Sequence, residues 1–184
     1  MPAVPKAALH QKILVALGDL VRTHDDLDKI PFVVRLTSDV GLSVFAFTLT
    51  PSKSATGRPT GEHKAQLIVP GQKRGAGEKG RLLVAPYSAP VIAAWSPQYD
   101  VFVLWDGYAH EEFAYSKNMQ VKDTALSEAQ TRGVYEVQRN LPALGGVRRG
   151  LETVVVCTPS QLKDGIQRRI QLSAERQARL AGYA

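Results

Sequence analysis

From Pro31 to Trp105 the chain repeats one pattern: a short β-branched or aromatic run, then Gly, Pro or Asp punctuation, with no helical period between runs. Pro31–Leu36 (PFVVRL) and Leu42–Leu49 (LSVFAFTL), joined at Asp39-Val40-Gly41, read as a hairpin. His63–Val69, Arg81–Tyr87, Val91–Trp95 and Val101–Trp105 read as further strands. Strands at this spacing without intervening helices favour an antiparallel sheet that curls or closes, and disfavour a doubly wound parallel one.

Helices are expected only at the flanks of this run. Pro5–Arg22 places Ala8, Ile13, Leu14, Leu17, Leu20 and Val21 near one face at helical spacing, and Thr23-His24-Asp25-Asp26 ends it. Asp123 or Thr124 caps a helix that runs to Arg132 and closes at Gly133. Leu151–Cys157 (LETVVVC) reads as a buried strand, and a basic helix follows from Thr158 or Ser160 to about Leu180. The expected class is α+β: a mostly antiparallel curled sheet or pseudobarrel of about seven or eight strands with three helices. Residues 1–184 are expected to form a single domain, with 158–184 its C-terminal helix or a linker toward a further domain.

The longest departure from the strand pattern is polar and cationic. Thr50–Lys73 carries Lys53, Arg58, His63, Lys64 and Lys73, followed by Arg74, against the single acid Glu62. Such a loop can simply turn the chain, but cations springing from a strand also suit a phosphate-lined groove, where they displace condensed counterions. A net charge of +6 points the same way. A second polar arm, Tyr115–Lys122, holds Ser116, Lys117, Asn118, Gln120 and Lys122. Asn and Gln suit adenine edges, and Lys and Arg suit guanine edges or phosphates. Thr56, Thr60 and Gln66 join the first arm as candidate contacts, and Arg35 interrupts an apolar strand as an edge charge or a ligand contact. The expected partner is double-stranded DNA.

Several chemistries find little support. The QKRGAGEKG stretch is not a P-loop and does not open a helix. His10, His24, His63 and His110 lack metal-ligand spacing, and the lone Cys157 precludes an internal disulfide or a Cys-based zinc site. No signal-peptide pattern or membrane-length apolar run is present, so a cytoplasmic protein away from membranes is the expectation. Glu62-x-Lys64 is half of a PD-(D/E)xK nuclease signature, which would use Mg2+, but Asp39 sits in a turn and no other upstream acid completes it. Binding itself calls for no cofactor. Trp95, Trp105, Tyr108 and Tyr115 would suit a cage for a flipped or modified base, although Trp95 and Trp105 end apolar strands as core residues do.

The run from Arg35 to Gln72 resembles the N-terminal effector domain of EcoRII-type restriction enzymes, through Arg35, Leu36, Thr56, Gly57, Thr60, Gly61, His63, Leu67 and Pro70. Asp100–Val121 resembles N-terminal regions of restriction-modification loci, which are fused to, or encoded beside, a nuclease or methylase. The resemblance implies a DNA-binding pseudobarrel that reads a short duplex site through two arms, here Lys53–Lys64 and Tyr115–Lys122. It implies a non-catalytic recognition domain of a type II restriction endonuclease, whose nuclease is a fused or separate domain. The alternatives are a nuclease using Glu62 and Lys64, or a reader of modified bases.

Overall fold

The computed structural model describes residues 4–51, 61–68, 80–113, 116–141 and 150–182. Helix α1 (Lys6–Leu17) leads through a 3-10 turn into strand β1 (Val21–His24). Strands β2 (Phe32–Leu36), β3 (Gly41–Thr48), β4 (Thr50–Pro51), β5 (Glu62–Leu67), β6 (Gly80–Arg81), β7 (Ser88–Ser96) and β8 (Val101–Asp106) follow. After a 3-10 turn at Gly107–His110 come β9 (Glu112–Phe113), β10 (Lys117–Lys122), helix α2 (Asp123–Arg132), β11 (Val134–Asn140), β12 (Leu151–Cys157) and helix α3 (Leu162–Ala181).

The main sheet has seven strands in the order β1-β2-β3-β7-β8-β12-β11. Every pairing in it is antiparallel except β3 with β7. β8 (VFVLWD) is buried at all six positions, as a strand covered on both faces must be. One face, including Val34, Val44, Phe102 and Val155, packs under α1 and α3 through Leu9, Ile13, Leu17, Leu162 and Ile166. The other face, including Phe45, Ile92, Val103, Trp105 and Val156, packs under α2 and a small three-stranded sheet ordered β10-β5-β4. Trp95 and Trp105 therefore serve cores on opposite faces, as strand-end core residues do, and form no common cage.

The α+β class and all three helices agree with expectation; the details differ at four places. Gly18, at φ 53, ends α1 at Leu17, where the residues 5–22 were expected to be helical. The β-branched Val21 and Thr23 then pair with β2, so His24 lies on a strand rather than at a helix end. Val134–Asn140, not foreseen as an element, is an edge strand seven residues long, paired to β12. Of the expected strand Arg81–Tyr87, only Arg81 is extended in a ladder, through the short β6–β9 pair. The sheet is open at β1 and β11, so the described residues form a curled sheet and not a closed barrel. Among the described residues no helix is long and apolar enough to cross a membrane.

Candidate nucleic-acid interface

The two polar arms lead into strands that are hydrogen-bonded to each other. β5 and β10 pair antiparallel in the register Glu62↔Lys122, Lys64↔Gln120, Gln66↔Asn118 on one face and His63↔Val121, Ala65↔Met119, Leu67↔Lys117 on the other. Side chains alternate across a strand, so a period of two sorts them into two rows. Ala65, Leu67, Met119 and Val121 turn inward onto the main sheet, and fully burying each large apolar side chain contributes about 1.5–3 kcal/mol. Glu62, Lys64, Gln66, Asn118, Gln120 and Lys122 turn outward, half-buried or exposed. The result is a two-stranded β5–β10 ribbon with a polar outer face, flanked at β5 by the two-residue β4.

The outer row is partly organised by its own hydrogen bonds. Gln120 Nε2 donates to Glu62 Oε2 at 3.3 Å, and Gln66 Nε2 donates to Ser116 Oγ at 3.3 Å. Lys64, Asn118 and Lys122 make no side-chain hydrogen bond among the described residues. Beyond β5, Thr50 of β4 donates its hydroxyl to the Lys64 carbonyl at 3.3 Å. On that flank Lys6, Lys64 and Gln66 line a cleft of about 320 Å³. Lys6 there hydrogen-bonds the Ala46 carbonyl and lies 3.9 Å from the Phe47 ring centre, and burial lowers its pKa to about 8.

The other flank of the ribbon faces the open edge of the main sheet. A cleft of about 370 Å³ lies between β10 and β11, lined by Asn118, Gln120, Val121, Tyr135, Val137 and Arg139 among others. Arg139 spans it, donating from Nη1 to the Gln120 carbonyl at 3.2 Å and from Nε to Glu152 Oε2 at 2.8 Å. Glu152, 1% exposed, also accepts from His110 Nε2 at 3.0 Å and, through Oε1, from the Asp106 backbone N–H at 3.0 Å. That environment holds its carboxyl at about 2: His110 and Arg139 stabilise the anion more than burial opposes it. Burial lowers the His110 pKa, so the ring is neutral with its proton on Nε2 toward Glu152, leaving buried Nδ1 as an unpaired acceptor. The 3.4 Å approach of Arg139 Nη2 to that protonated nitrogen is proximity only. On the opposite face of the sheet, Asp106 Oδ1 accepts from Ser173 Oγ at 3.0 Å, and Arg176 lies 3.7 Å from Oδ2.

The sequence-predicted residues sort as follows. Glu62, Lys64, Gln66, Asn118, Gln120 and Lys122 come together on one face, with Ser116 at its end, whereas Lys117 pairs with Leu67 in the inner row. His63 is on the inner row, 4% exposed and edge-on to Tyr99 at 5.4 Å, so it presents nothing to a ligand on the outer face. Arg35 stays on β2, opposite Gly41, and donates to the Tyr87 carbonyl at 3.3 Å. A Cβ at Gly41 would sit 3.0 Å from that guanidinium, so glycine makes its room. Lys53, Thr56, Arg58, Thr60, Lys73, Arg74 and Tyr115 lie outside the described residues. For the nuclease alternative, the Glu62 carboxylate is engaged by Gln120, and no group of three His, Cys, Asp or Glu that would hold a metal forms among the described residues. The weak alternation of VYEVQRN, which places Tyr135 and Arg139, gives little sign of a strand in the sequence, and Glu152 stands on the foreseen strand LETVVVC without a sequence signal of its partners.

Against known proteins, a family model described as Methylase-associated X1 matches residues 40–166. No curated protein and no solved structure matches the chain. The matched span holds the ribbon, α2, β11 and β12, and omits α1, β1 and β2. It covers well over half of the chain, which therefore belongs to the methylase-associated X1 family.

Proposed function

We propose that this member of the methylase-associated X1 family is a duplex-DNA recognition module of a restriction-modification system. It reads a short site in the major groove with the outer face of the β5–β10 ribbon, and strand cleavage or methylation belongs to a fused or separate partner. The observation that carries this reading is the register of the two arms: three cross-strand pairs of Lys, Gln, Asn and Glu share one face of a ribbon anchored by an apolar inner face.

A two-stranded ribbon is one of the two elements that the major groove admits. Outward residues recur about every 6.8 Å along an antiparallel strand, close to two base-pair steps of about 3.4 Å. Each directly opposed outward pair can thus address every second base-pair step. Asn118 and Gln120 offer donor–acceptor pairs suited to adenine, and Lys64 and Lys122 suit guanine edges or phosphates. Lys53, Thr56, Arg58, Thr60, Lys73, Arg74 and Tyr115 adjoin the ribbon in sequence, and the positive net charge supplies the attraction that precedes readout. His63 and Arg35 are left out of this reading surface. The family description sets such domains beside methylases, the setting in which a separate recognition module is useful.

Lys64→Ala and Gln120→Ala separate the two kinds of contact. A base-reading Gln120 loses about 1–3 kcal/mol on its preferred duplex when truncated, and little on unrelated duplexes. A phosphate-binding Lys64 weakens all duplexes alike and reduces the salt slope by about 1. Titrations at several salt concentrations measure both. Unchanged affinity in both variants takes the ribbon out of the interface.

A further inference from the structure

We propose that the cleft between β10 and β11 receives a single nucleobase rotated out of the duplex; this rests on the DNA-reading proposal above. The cleft shares Gln120 and Lys122 with the ribbon's outer row, so a duplex seated on the ribbon passes its mouth. At about 370 Å³ it is at the small end of ligand pockets, suited to one planar heterocycle and too small for a helix. Val121, Ala125 and Val154 form an apolar lining, and Tyr135 adds an aromatic ring of the kind on which a base stacks.

The polar groups favour an uncharged ligand. The Arg139 guanidinium is the cation inside the cleft, and buried Glu152 balances it at 2.8 Å. Glu62 lines the same cleft and disfavours a phosphate or carboxylate inside it. Because Nε is fixed on Glu152 and Nη1 on the Gln120 carbonyl, the remaining guanidinium N–H groups are held in one orientation. They would meet the acceptor edge of a base. Asn118, with no side-chain hydrogen bond among the described residues, adds a donor and an acceptor at the rim. Lys122 at the mouth suits the flanking phosphate.

Extrusion is cheapest for a base that is already mispaired. The test compares short duplexes that differ only in a central base pair, matched or mismatched, with 2-aminopurine as the reporting base. The expected result is about tenfold or more tighter binding of the mismatched duplex, and a rise in 2-aminopurine fluorescence as the base leaves the stack. Tyr135→Ala, and Val137→Phe which fills the cleft, are expected to abolish both effects while matched-duplex affinity stays within about twofold; urea unfolding confirms that each variant is folded. Equal binding of both duplexes with no fluorescence rise overturns the inference and leaves the ribbon reading standing. So does a mismatch preference that survives in both folded variants. Absence of binding to any duplex overturns both proposals.

Discussion

Replacing Glu152 with Ala is expected to cost about 3–5 kcal/mol of stability, the range for removing one partner from a buried charge pair. The side chain is 1% exposed and serves three donors on three elements: Asp106 N–H at the end of β8, His110 in the following turn, and Arg139 on β11. Truncation leaves the buried Asp106 N–H and His110 ring unpaired and takes from half-buried Arg139 its carboxylate partner, so the cost exceeds that of the lost contacts. The urea midpoint should fall with an unchanged slope.

Acid should reach the same network. The Glu152 carboxyl is ionised down to about 2 in the fold, against 4.5 ordinarily, so its contribution is complete above 4.5 and is lost as pH falls from there toward 2. The displacement corresponds to about 3 kcal/mol. His110 acts earlier: its folded pKa is lowered below 6.5, so protons bind the unfolded chain preferentially and stability starts to fall below about that pH. Both effects have one sign. Stability measured from pH 7 to pH 3 should decline in wild type and decline less in Glu152→Ala, and a flat wild-type profile would contradict the assignment.

Two adjacent residues of β10 should separate folding from recognition. Met119 is fully buried between the ribbon and the main sheet, and Met119→Ala is expected to lose about 2–5 kcal/mol of stability through the cavity it leaves. Asn118, one position earlier, faces outward opposite Gln66; Asn118→Ala should change stability by less than about 0.5 kcal/mol. Its affinity for the preferred duplex should instead fall by about 1–3 kcal/mol. Denaturant unfolding and duplex titration on both variants check the alternation. A large stability loss at Asn118 would mean that the row is structural and not a reading face.

Most of the sheet was legible because its central strands are unbroken apolar runs, such as VFVLW, bounded by turn residues. The helix at Asp123–Arg132 was legible from its first acid and its closing Gly133, although Lys122, and neither Asp123 nor Thr124, stands at the cap, and no side chain bonds there. Two strands escaped. Val21–His24 continues the apolar spacing of α1, so only Gly18 marks the break. Val134–Asn140 is half polar because it is an edge strand, and its weak alternation hides beside a strong helix. The parallel β3–β7 pair depends on which strands meet across the intervening arm, and no local pattern encodes that. At the site, the polar arms were legible as residue types; their rows were not, since the sorting of His63 inward and Lys64 outward depends on the face that packs. The Glu152–His110–Arg139 contact joins residues up to 42 positions apart and needed the fold to appear.

The most direct test of the ribbon as a reader of duplex DNA is selection from a randomised duplex library without metal, followed by sequencing of the retained molecules. The expected result is one enriched short motif, lost or altered when Gln120 and Asn118 are both replaced by Ala. Absence of retention even at low salt would contradict duplex binding itself, and an enriched motif indifferent to that double replacement would contradict readout by the ribbon.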